Sequence, residues 1–223
     1  MKSVLSWSGG KDSSLALQEA MRSNIDIQGL LTTITQDYGR ISMHGVRVQL
    51  LREQAASLGL SLYEVPIPKD ASNEIYEREM ESTLIGLKKN ISISAVVFGD
   101  LFLQEIREYR ESLCGRLGLD CIFPIWMKDT KKLAKDFIQS GFRAIICSVD
   151  PRRLDKRFCG RKFDDSFLLE IPAEVDPCGE NGEFHTFVYD GPIFKHPIRV
   201  SVGQIVERSG FFFADILPIS DNS

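Results

Sequence analysis

The feature that most limits the possible folds is the stretch S-G-G-K-D-S at residues 8–13, between an apolar run and a helix-like pattern. Residues 4–7 predict a short buried strand, and residues 12–21 predict a helix. Glycine adopts backbone angles that other residues avoid, so the pair at positions 9 and 10 lets backbone amides converge on an anion. A strand, an anion-binding loop and a helix in this order predict a nucleotide-binding α/β domain.

The rest of the first half repeats the alternation of strand and helix. Strands are predicted at residues 27–34, 62–67, 95–98 and 121–123, and helices at residues 46–58, 73–87 and 103–117. The predicted strands are continuously apolar, which is typical of parallel strands that are covered on both faces. The pattern therefore predicts a parallel sheet with helices on both sides.

After Pro124 the pattern changes. A helix at 130–140 and a strand at 144–148 precede a basic segment at 152–162, and strands follow at 184–189, 198–206 and 211–216. We predict two domains: a parallel-sheet nucleotide-binding domain at residues 1–124, and a smaller α+β domain at residues 125–223 for substrate binding and catalysis. The basic segment is either a solvated loop or a contact for a triphosphate or an acidic partner.

Composition and charge restrict the class of protein. Apolar residues make up 43% of the 223 residues and charged residues 26%, as in ordinary globular proteins. No apolar run reaches the roughly 20 residues of a membrane helix, so we expect no membrane association. The net charge of −4 argues against general nucleic-acid binding. The five cysteines form no C-x-x-C pair, which argues against a zinc knuckle or a disulfide framework and predicts a cytoplasmic location.

Two common phosphate-binding patterns do not fit the loop. The Walker pattern G-x-x-x-x-G-K-[ST] needs glycine where Leu5 stands and serine or threonine where Asp12 stands, and the pattern G-x-G-x-x-G lacks its third glycine. The sequence S-G-G-K-D-S instead resembles the pyrophosphate loop of the ATP pyrophosphatases, which cut ATP between the α and β phosphates. From the residues alone, a helix N-cap at Asp12 or Ser13 is the alternative.

A longer resemblance covers nearly the whole chain. Its most specific part is C-G-E-N-G-E-F-H-T-F-V-Y-D-G-P at residues 178–192, and S-M-H-G-V at 42–46, G-D at 99–100 and P-I-W at 124–126 add to it. On these residues the chain resembles the diphthine–ammonia ligase family. Residues 99–107 and 147–153 resemble bacterial relatives more than archaeal or eukaryotic ligases.

The resemblance implies a HUP-like, adenine nucleotide alpha hydrolase-like N-terminal domain whose phosphates face a C-terminal domain. It implies ATP and Mg²⁺ as cofactors, and an amide ligase that forms AMP and pyrophosphate. The partners in that family are ammonia and a carboxylate on a modified histidine of translation elongation factor 2. If the source is bacterial, the resemblance does not identify the acceptor. Whether the chain forms a homodimer is a separate open question.

The candidate site residues form two groups. Seven are expected to bind the nucleotide: Ser8, Gly9, Gly10, Lys11, Asp12, Ser13 and His44, with Asp12 also holding Mg²⁺. Five are expected to take part in catalysis: Asp100, Glu180, Glu183, His185 and Thr186. On an extended strand Glu183 and His185 share a face, where a carboxylate can orient Mg²⁺ or ammonia and a neutral imidazole can accept a proton from the amine. From the residues alone, each group has a structural alternative. Residues 180–186 could form a polar hairpin turn, His44 could be a surface histidine, and Asp100 could cap a helix.

Three functions compete. The first is the ATP-dependent ligase. The second is an ATP-dependent tRNA-modifying enzyme of the same superfamily, which would need a reactive cysteine pair and a basic face. The third is a nucleotide-binding sensor without chemistry, against which the intact motifs at 8–13 and 180–186 argue.

Overall fold

The computed structural model of the protein describes residues 1–35, 40–41 and 45–219. The strands are β1 Lys2–Ser6, β2 Asp26–Thr35, β3 Arg40–Ile41, β4 Ser61–Ile67, β5 Ala95–Val97, β6 Asp120–Ile122, β7 Arg143–Val149, β8 Phe184–Asp190, β9 Val200–Arg208 and β10 Phe211–Pro218. The helices are α1 Lys11–Arg22, α2 Val48–Leu58, α3 Asn73–Ile91, α4 Gln104–Arg116, α5 Thr130–Gln139 and α6 Asp165–Glu170. Every predicted helix and strand is present, while the short elements β3 and α6 were not predicted.

β1 lies at the centre of the first sheet, whose parallel strands run in the order β4-β2-β1-β5-β6. Val4 of β1 pairs with Gly29 of β2 on one side and with Val96 of β5 on the other. β3 pairs antiparallel with the last residues of β2. Because parallel strands end at the same edge, the residues that follow β1, β2 and β5 meet there.

Helices cover both faces of this sheet, as predicted. On one face α1 and α2 pack into a core that includes Leu5 and Leu51, and on the other face α3 and α4 pack into a core that includes Val4 and Leu84. Consecutive residues of β1 thus enter two different cores. This explains why Val4 and Leu5 are both apolar although they point to opposite faces of the sheet.

The second sheet is antiparallel, in the order β8-β7-β10-β9. β7 is buried along nearly its whole length, with α5 before it and α6 after it. Aromatic rings fill the space around α6, where Phe167 lies 5.3 Å from Phe163 and 5.2 Å from Phe184 between ring centroids. The fold is therefore a parallel α/β unit followed by a smaller α+β unit, as the sequence predicted.

One apolar core connects the two sheets. The core cluster that contains Leu5 and Trp7 of the first sheet also contains Ile146 and Phe187 of the second. The domain boundary at residue 124 stays a prediction. In the ranges that the structure describes, no helix has the length and apolar character needed to cross a membrane.

Candidate active site

A cavity of about 690 Å³ opens where β1, β2 and β5 end. Of the predicted site residues, nine line it: Ser8, Gly10, Lys11, Asp12, Ser13, Asp100, Glu180, His185 and Thr186. Gly9 and Glu183 lie behind this lining, and His44 lies outside the described residues. The structure thus brings the residues 8–13 and 178–186 together at one site, although they lie at opposite ends of the sequence.

Two carbonyl groups of the loop at residues 8–13, those of Gly9 and Gly10, accept hydrogen bonds within the protein. Gly9 has a φ of 77°, and its carbonyl oxygen accepts hydrogen bonds from Val188 N at 2.9 Å and from Gln54 Nε2 at 3.1 Å. The carbonyl oxygen of Gly10 accepts bonds from the hydroxyls of Ser13 at 3.0 Å and Ser14 at 2.9 Å. With its carbonyls bound elsewhere, the loop does not repel an anion in the cavity.

Glycine at position 9 is also required by packing. A Cβ there would lie 2.8 Å from Oε1 of Gln54, which is fully buried. Gln54 donates from Nε2 to the carbonyl oxygen of Val188 at 2.6 Å and accepts a bond from Trp7 Nε1 at 2.9 Å. This single side chain therefore joins Trp7, directly after β1, to the loop and to β8.

Lys11 connects the loop to the C-terminal part of the chain. Its backbone N–H donates to the Thr186 hydroxyl at 3.0 Å, and its ammonium donates to the carboxylate of Asp12 and to the carbonyl oxygen of Cys178. The ammonium also lies 5.6 Å from the ring centroid of Phe184. Burial lowers the pKa of Lys11, but the interactions with Asp12, Cys178 and Glu180 together raise it above its ordinary value, so the ammonium stays charged.

The segment between α6 and β8 is ordered by two carboxylates. Oδ1 of Asp176 accepts bonds from the backbone N–H of Cys178 at 2.9 Å and of Glu180 at 3.3 Å. Oε1 of Glu183 accepts bonds from Asp176 N at 3.1 Å and from Nδ2 of Asn181 at 3.0 Å. The Glu183 carboxylate thus fixes this segment from behind and does not face the cavity.

Glu180 holds the segment against the end of β5, since its Oε1 accepts a bond from Leu101 N at 2.8 Å. Burial raises the pKa of Glu180 to about 7, and the nearby carboxylates of Asp12 and Asp100 add to the increase. Burial also raises the pKa of Asp12 and of Asp100. Three carboxylates therefore converge beside the loop.

His185 is the second residue of β8 and lines the cavity. Burial lowers its pKa to about 4, and the Lys11 ammonium lowers it further, against the opposite effect of Glu183. The imidazole is therefore neutral near pH 7 and able to accept a proton. We predicted that Glu183 and His185 face the same side of an extended strand. In the structure His185 lines the cavity and Glu183 does not.

The basic segment divides into two parts. Arg152 and Arg153 line the cavity, and Arg152 is held by the buried carboxylate of Asp150 at 2.8 Å. Arg157 instead stacks on Phe158, with 4.9 Å from its guanidinium carbon to the ring centroid. Arg161 pairs with Glu170 at 2.7 Å. Of the basic segment, whose residues the structure describes throughout, Arg152 and Arg153 are thus the two that a ligand in this cavity can contact.

Two residues of the site were missed in the sequence. Gln54 is a polar residue on the apolar face of α2, beside Leu50 and Leu51. A polar residue at a buried position was the one sequence feature that could have indicated its role. Arg110 of α4 lines the cavity with its guanidinium 5.0 Å from the ring centroid of Phe98. The sequence placed it on the predicted helix at 103–117, after Asp100, but it was not among the predicted site residues.

The residues fit a nucleoside triphosphate better than a metal ion alone. Within the described ranges, no group of three or more histidines, cysteines and carboxylates has the arrangement of a metal centre. The loop offers hydroxyls and backbone amides to phosphate oxygens, and nearby carboxylates offer oxygen ligands. Mg²⁺ usually binds through one or two carboxylates together with substrate phosphates, which agrees with this set.

Comparison with known proteins assigns both parts of the chain. Residues 1–121 match the family model described as the diphthamide synthase N-terminal domain, and residues 129–219 match that of the diphthamide synthase C-terminal domain. Relatives named diphthine–ammonia ligase include those of Schizosaccharomyces pombe, 27% identical over 91% of the chain, and Danio rerio, 28% identical over 94% of the chain. The human relative is 24% identical over 94% of the chain.

The chain spans different shares of these relatives. The matched region is 36% of the fission yeast protein but 86% of the human protein and 90% of the zebrafish protein. These relatives all carry the name of an amide-forming ligase. Neither the tRNA-modifying enzyme nor the nucleotide sensor is favoured by them.

Proposed function

Since the chain belongs to the diphthamide synthase family, we propose that it is an ATP-dependent ligase that adenylates a carboxylate, releases pyrophosphate and forms an amide with ammonia or an amine. The observation that carries the proposal is the contact of Thr186 with Lys11, which seats the C-terminal motif on the loop at residues 8–13. ATP use follows from the family. The acceptor on a translation elongation factor, the ammonia and the Mg²⁺ are proposals that rest on the names of the relatives and on the convergent carboxylates.

In the proposed complex the loop holds the β and γ phosphates. Gly9 and Gly10 allow the close approach of the backbone, and the hydroxyls of Ser8 and Ser13 donate to phosphate oxygens. Asp12 holds Mg²⁺, with Asp100 and Glu180 nearby. When bound there, Mg²⁺ would neutralise phosphate charge, and its own positive charge would lower the pKa of these carboxylates.

The first step is attack of the acceptor carboxylate on the α-phosphorus. A bond forms between a carboxylate oxygen and that phosphorus, the bond to the α,β-bridging oxygen breaks, and pyrophosphate leaves towards the loop. Arg152 and Arg153 at the rim of the cavity stabilise the negative charge of the leaving pyrophosphate.

The second step is attack of the amine on the acyl carbon, which expels AMP. The amine must lose a proton, and the neutral imidazole of His185 is the base in this cavity that accepts it. Glu183 contributes indirectly, because its carboxylate fixes the segment from which Glu180 and His185 reach the cavity.

The products test the proposal. The protein is incubated with ATP, Mg²⁺ and ammonium, with and without candidate carboxylate acceptors, and the nucleotides are separated by chromatography. We expect AMP and pyrophosphate that depend on the acceptor. ADP and phosphate as main products would contradict the proposed cleavage between the α and β phosphates.

A further inference from the structure

Gln54 of α2 is fully buried behind the loop at residues 8–13 and does not line the cavity. Both hydrogens of its side-chain amide are used, since Nε2 donates to the carbonyl oxygen of Gly9 at 3.1 Å and to that of Val188 at 2.6 Å. Its Oε1 accepts a hydrogen bond from Nε1 of Trp7 at 2.9 Å. Three hydrogen bonds therefore fix the plane of this amide.

These bonds act on the peptide group that joins Gly9 to Gly10. In a trans peptide the C=O and the N–H lie in one plane and point in opposite directions. The carbonyl oxygen of Gly9 is held by Gln54 and by the backbone N–H of Val188 at 2.9 Å. The N–H of Gly10 therefore points the other way, where it donates to Oγ of Ser8 at 3.3 Å beside the cavity.

The hydrogen bond from Gly10 to Ser8 is a long one, since N–H···O distances are usually about 2.9–3.0 Å. A phosphate oxygen is a charged acceptor and forms shorter and stronger hydrogen bonds than a neutral hydroxyl does. The N–H of Gly10 is thus able to exchange the serine for a phosphate while the backbone keeps its direction.

Two adjacent glycines make this peptide group easy to rotate. Because neither residue has a Cβ, the backbone angles on both sides of the peptide are less restricted than elsewhere in the chain. Rotation by half a turn would direct the carbonyl oxygen of Gly9 towards the cavity, where its partial negative charge would repel an anion. The loop sequence itself thus does not fix the peptide, and the restraint comes from α2 and β8.

We propose that Gln54 is a positioning residue for phosphate binding: through its bond to the carbonyl oxygen of Gly9, it holds the N–H of Gly10 towards the phosphates. Gln54 contacts no ligand itself and acts through the peptide group of the loop. This proposal rests on the proposed function, in which the loop holds the β and γ phosphates of ATP. It adds a residue of α2 to the motif at residues 8–13.

Calorimetry on Gln54→Met tests this role. Methionine is unbranched and suits a helix, but it offers no N–H donor. Affinity for ATP is expected to fall about tenfold or more, because a hydrogen bond to a charged oxygen is lost or misdirected. Affinity for AMP should stay unchanged, since in the proposed complex its single phosphate lies outside the loop. Unchanged ATP affinity, or equal losses for ATP and AMP, overturns the proposal.

Ser57→Ala is the matched control. Ser57 is as fully buried as Gln54 on the same helix, and its hydroxyl also bonds to the C-terminal part of the chain, by accepting from His196 N at 3.1 Å. This variant should lose thermal stability but keep its affinity for ATP. If Ser57→Ala weakens ATP binding as much as Gln54→Met does, the effect is one of general stability and the proposal is wrong.

A measurement on the unchanged protein decides the case in which Gln54→Met does not fold. In NMR spectra, pyrophosphate should shift the amide resonance of Gly10. The side-chain amide hydrogens of Gln54 should exchange slowly with solvent both before and after pyrophosphate binds, because they stay bonded to Gly9 and Val188. A Gly10 resonance that does not respond, or rapid exchange of the Gln54 hydrogens, would contradict the proposed role.

The two proposals fail in different ways. Loss of ATP affinity in Gln54→Met, without AMP formation by the wild-type protein, would contradict the ligase and support the role of Gln54. AMP and pyrophosphate formation by the wild-type protein, with unchanged ATP affinity in Gln54→Met, would support the ligase and contradict the role of Gln54.

Discussion

The backbone N–H of Lys11 donates to the hydroxyl of Thr186 at 3.0 Å, although the two residues are 175 positions apart in the chain. Both residues are buried, so neither group has water as an alternative partner. The first residue of α1 is thus held by β8, so we expect the loop at residues 8–13 to depend on both halves of the chain for its shape.

Removing the hydroxyl of Thr186 should therefore destabilise the fold. Thr186→Val keeps the shape of the side chain but leaves the buried N–H of Lys11 unpaired, at a cost of about 1–3 kcal/mol in the free energy of unfolding. Urea unfolding measures it. Thr186→Ser keeps the hydroxyl and serves as the control; equal stability of the valine and serine variants would show that the bond contributes little.

The two buried serines of the loop should differ in their effect on nucleotide binding. Both hydroxyls donate to the carbonyl oxygen of Gly10, but of these two serines only Ser13 lines the cavity. Ser13→Ala is expected to weaken ATP binding about tenfold, because a hydrogen bond to a charged phosphate is lost. Ser14→Ala is the matched control. Calorimetry that finds the same ATP affinity in wild type and Ser13→Ala would remove Ser13 from the phosphate site.

Loss of the proposed base should affect the second step alone. His185→Ala is expected to lower amide formation by about 10² to 10⁴ while ATP affinity is kept. His196→Ala is the control, because that side chain is exposed. Both variants are checked by thermal melting and then assayed for amide product with an acceptor that wild type uses. Near-normal turnover in His185→Ala would assign the proton transfer to another group.

Glu180 should make stability depend on pH. Its pKa of about 7 lies above the value of an unfolded glutamate, so the folded state binds the proton more tightly, and its contribution to stability is lost as pH rises from about 4.5 to about 7. His185, with its pKa lowered to about 4, acts in the opposite direction below about pH 6.5. The decline should therefore be clearest between about pH 6.5 and 7.5.

Glu180→Gln keeps the acceptor for Leu101 N and removes the titration. Melting temperatures of the variant should exceed those of wild type at pH 8 and converge with them at pH 5. The exposed Glu74→Gln is the control. A constant difference between Glu180→Gln and wild type over this range would contradict the shift in pKa.

Two glycines should respond in opposite ways to alanine. A Cβ at Gly99 would lie 2.9 Å from the backbone carbon of Asp12 and 3.1 Å from the backbone nitrogen of Ser13. Gly99→Ala must displace the first turn of α1 and should cost about 1–3 kcal/mol of stability, with weaker ATP binding. Gly86 lies inside α3 with open space around it, so Gly86→Ala should stabilise by about 0.5–1 kcal/mol. Chemical denaturation of both variants measures the contrast.

The sequence predicted the first sheet well because its signals are local. Apolar runs identified every parallel strand, helical periodicity identified the helices between them, and the loop at 8–13 identified the edge where the cavity opens. The short strand β3 and the six-residue helix α6 have too few residues for a periodic signal.

The sequence named most of the residues that gather at the cavity, but not the orientation of their side chains. Most motif residues do line one cavity, yet the Glu183 carboxylate is used inside its own segment and the Lys11 ammonium points to Cys178. The orientation of these side chains depends on contacts between distant parts of the chain. Gln54 and Arg110 were missed for the same reason, since their partners Val188 and Asp100 come from other elements.

The shared core of the two sheets has a thermodynamic consequence. Because Leu5 and Phe187 belong to one apolar cluster, we expect the halves of the chain to unfold as a single cooperative unit. A ligand that binds only the folded state raises the free energy of unfolding by RT ln(1 + [L]/Kd), and this gain extends to every element of the unit. ATP bound at α1 should therefore slow amide hydrogen exchange in β7, in the middle of the other sheet.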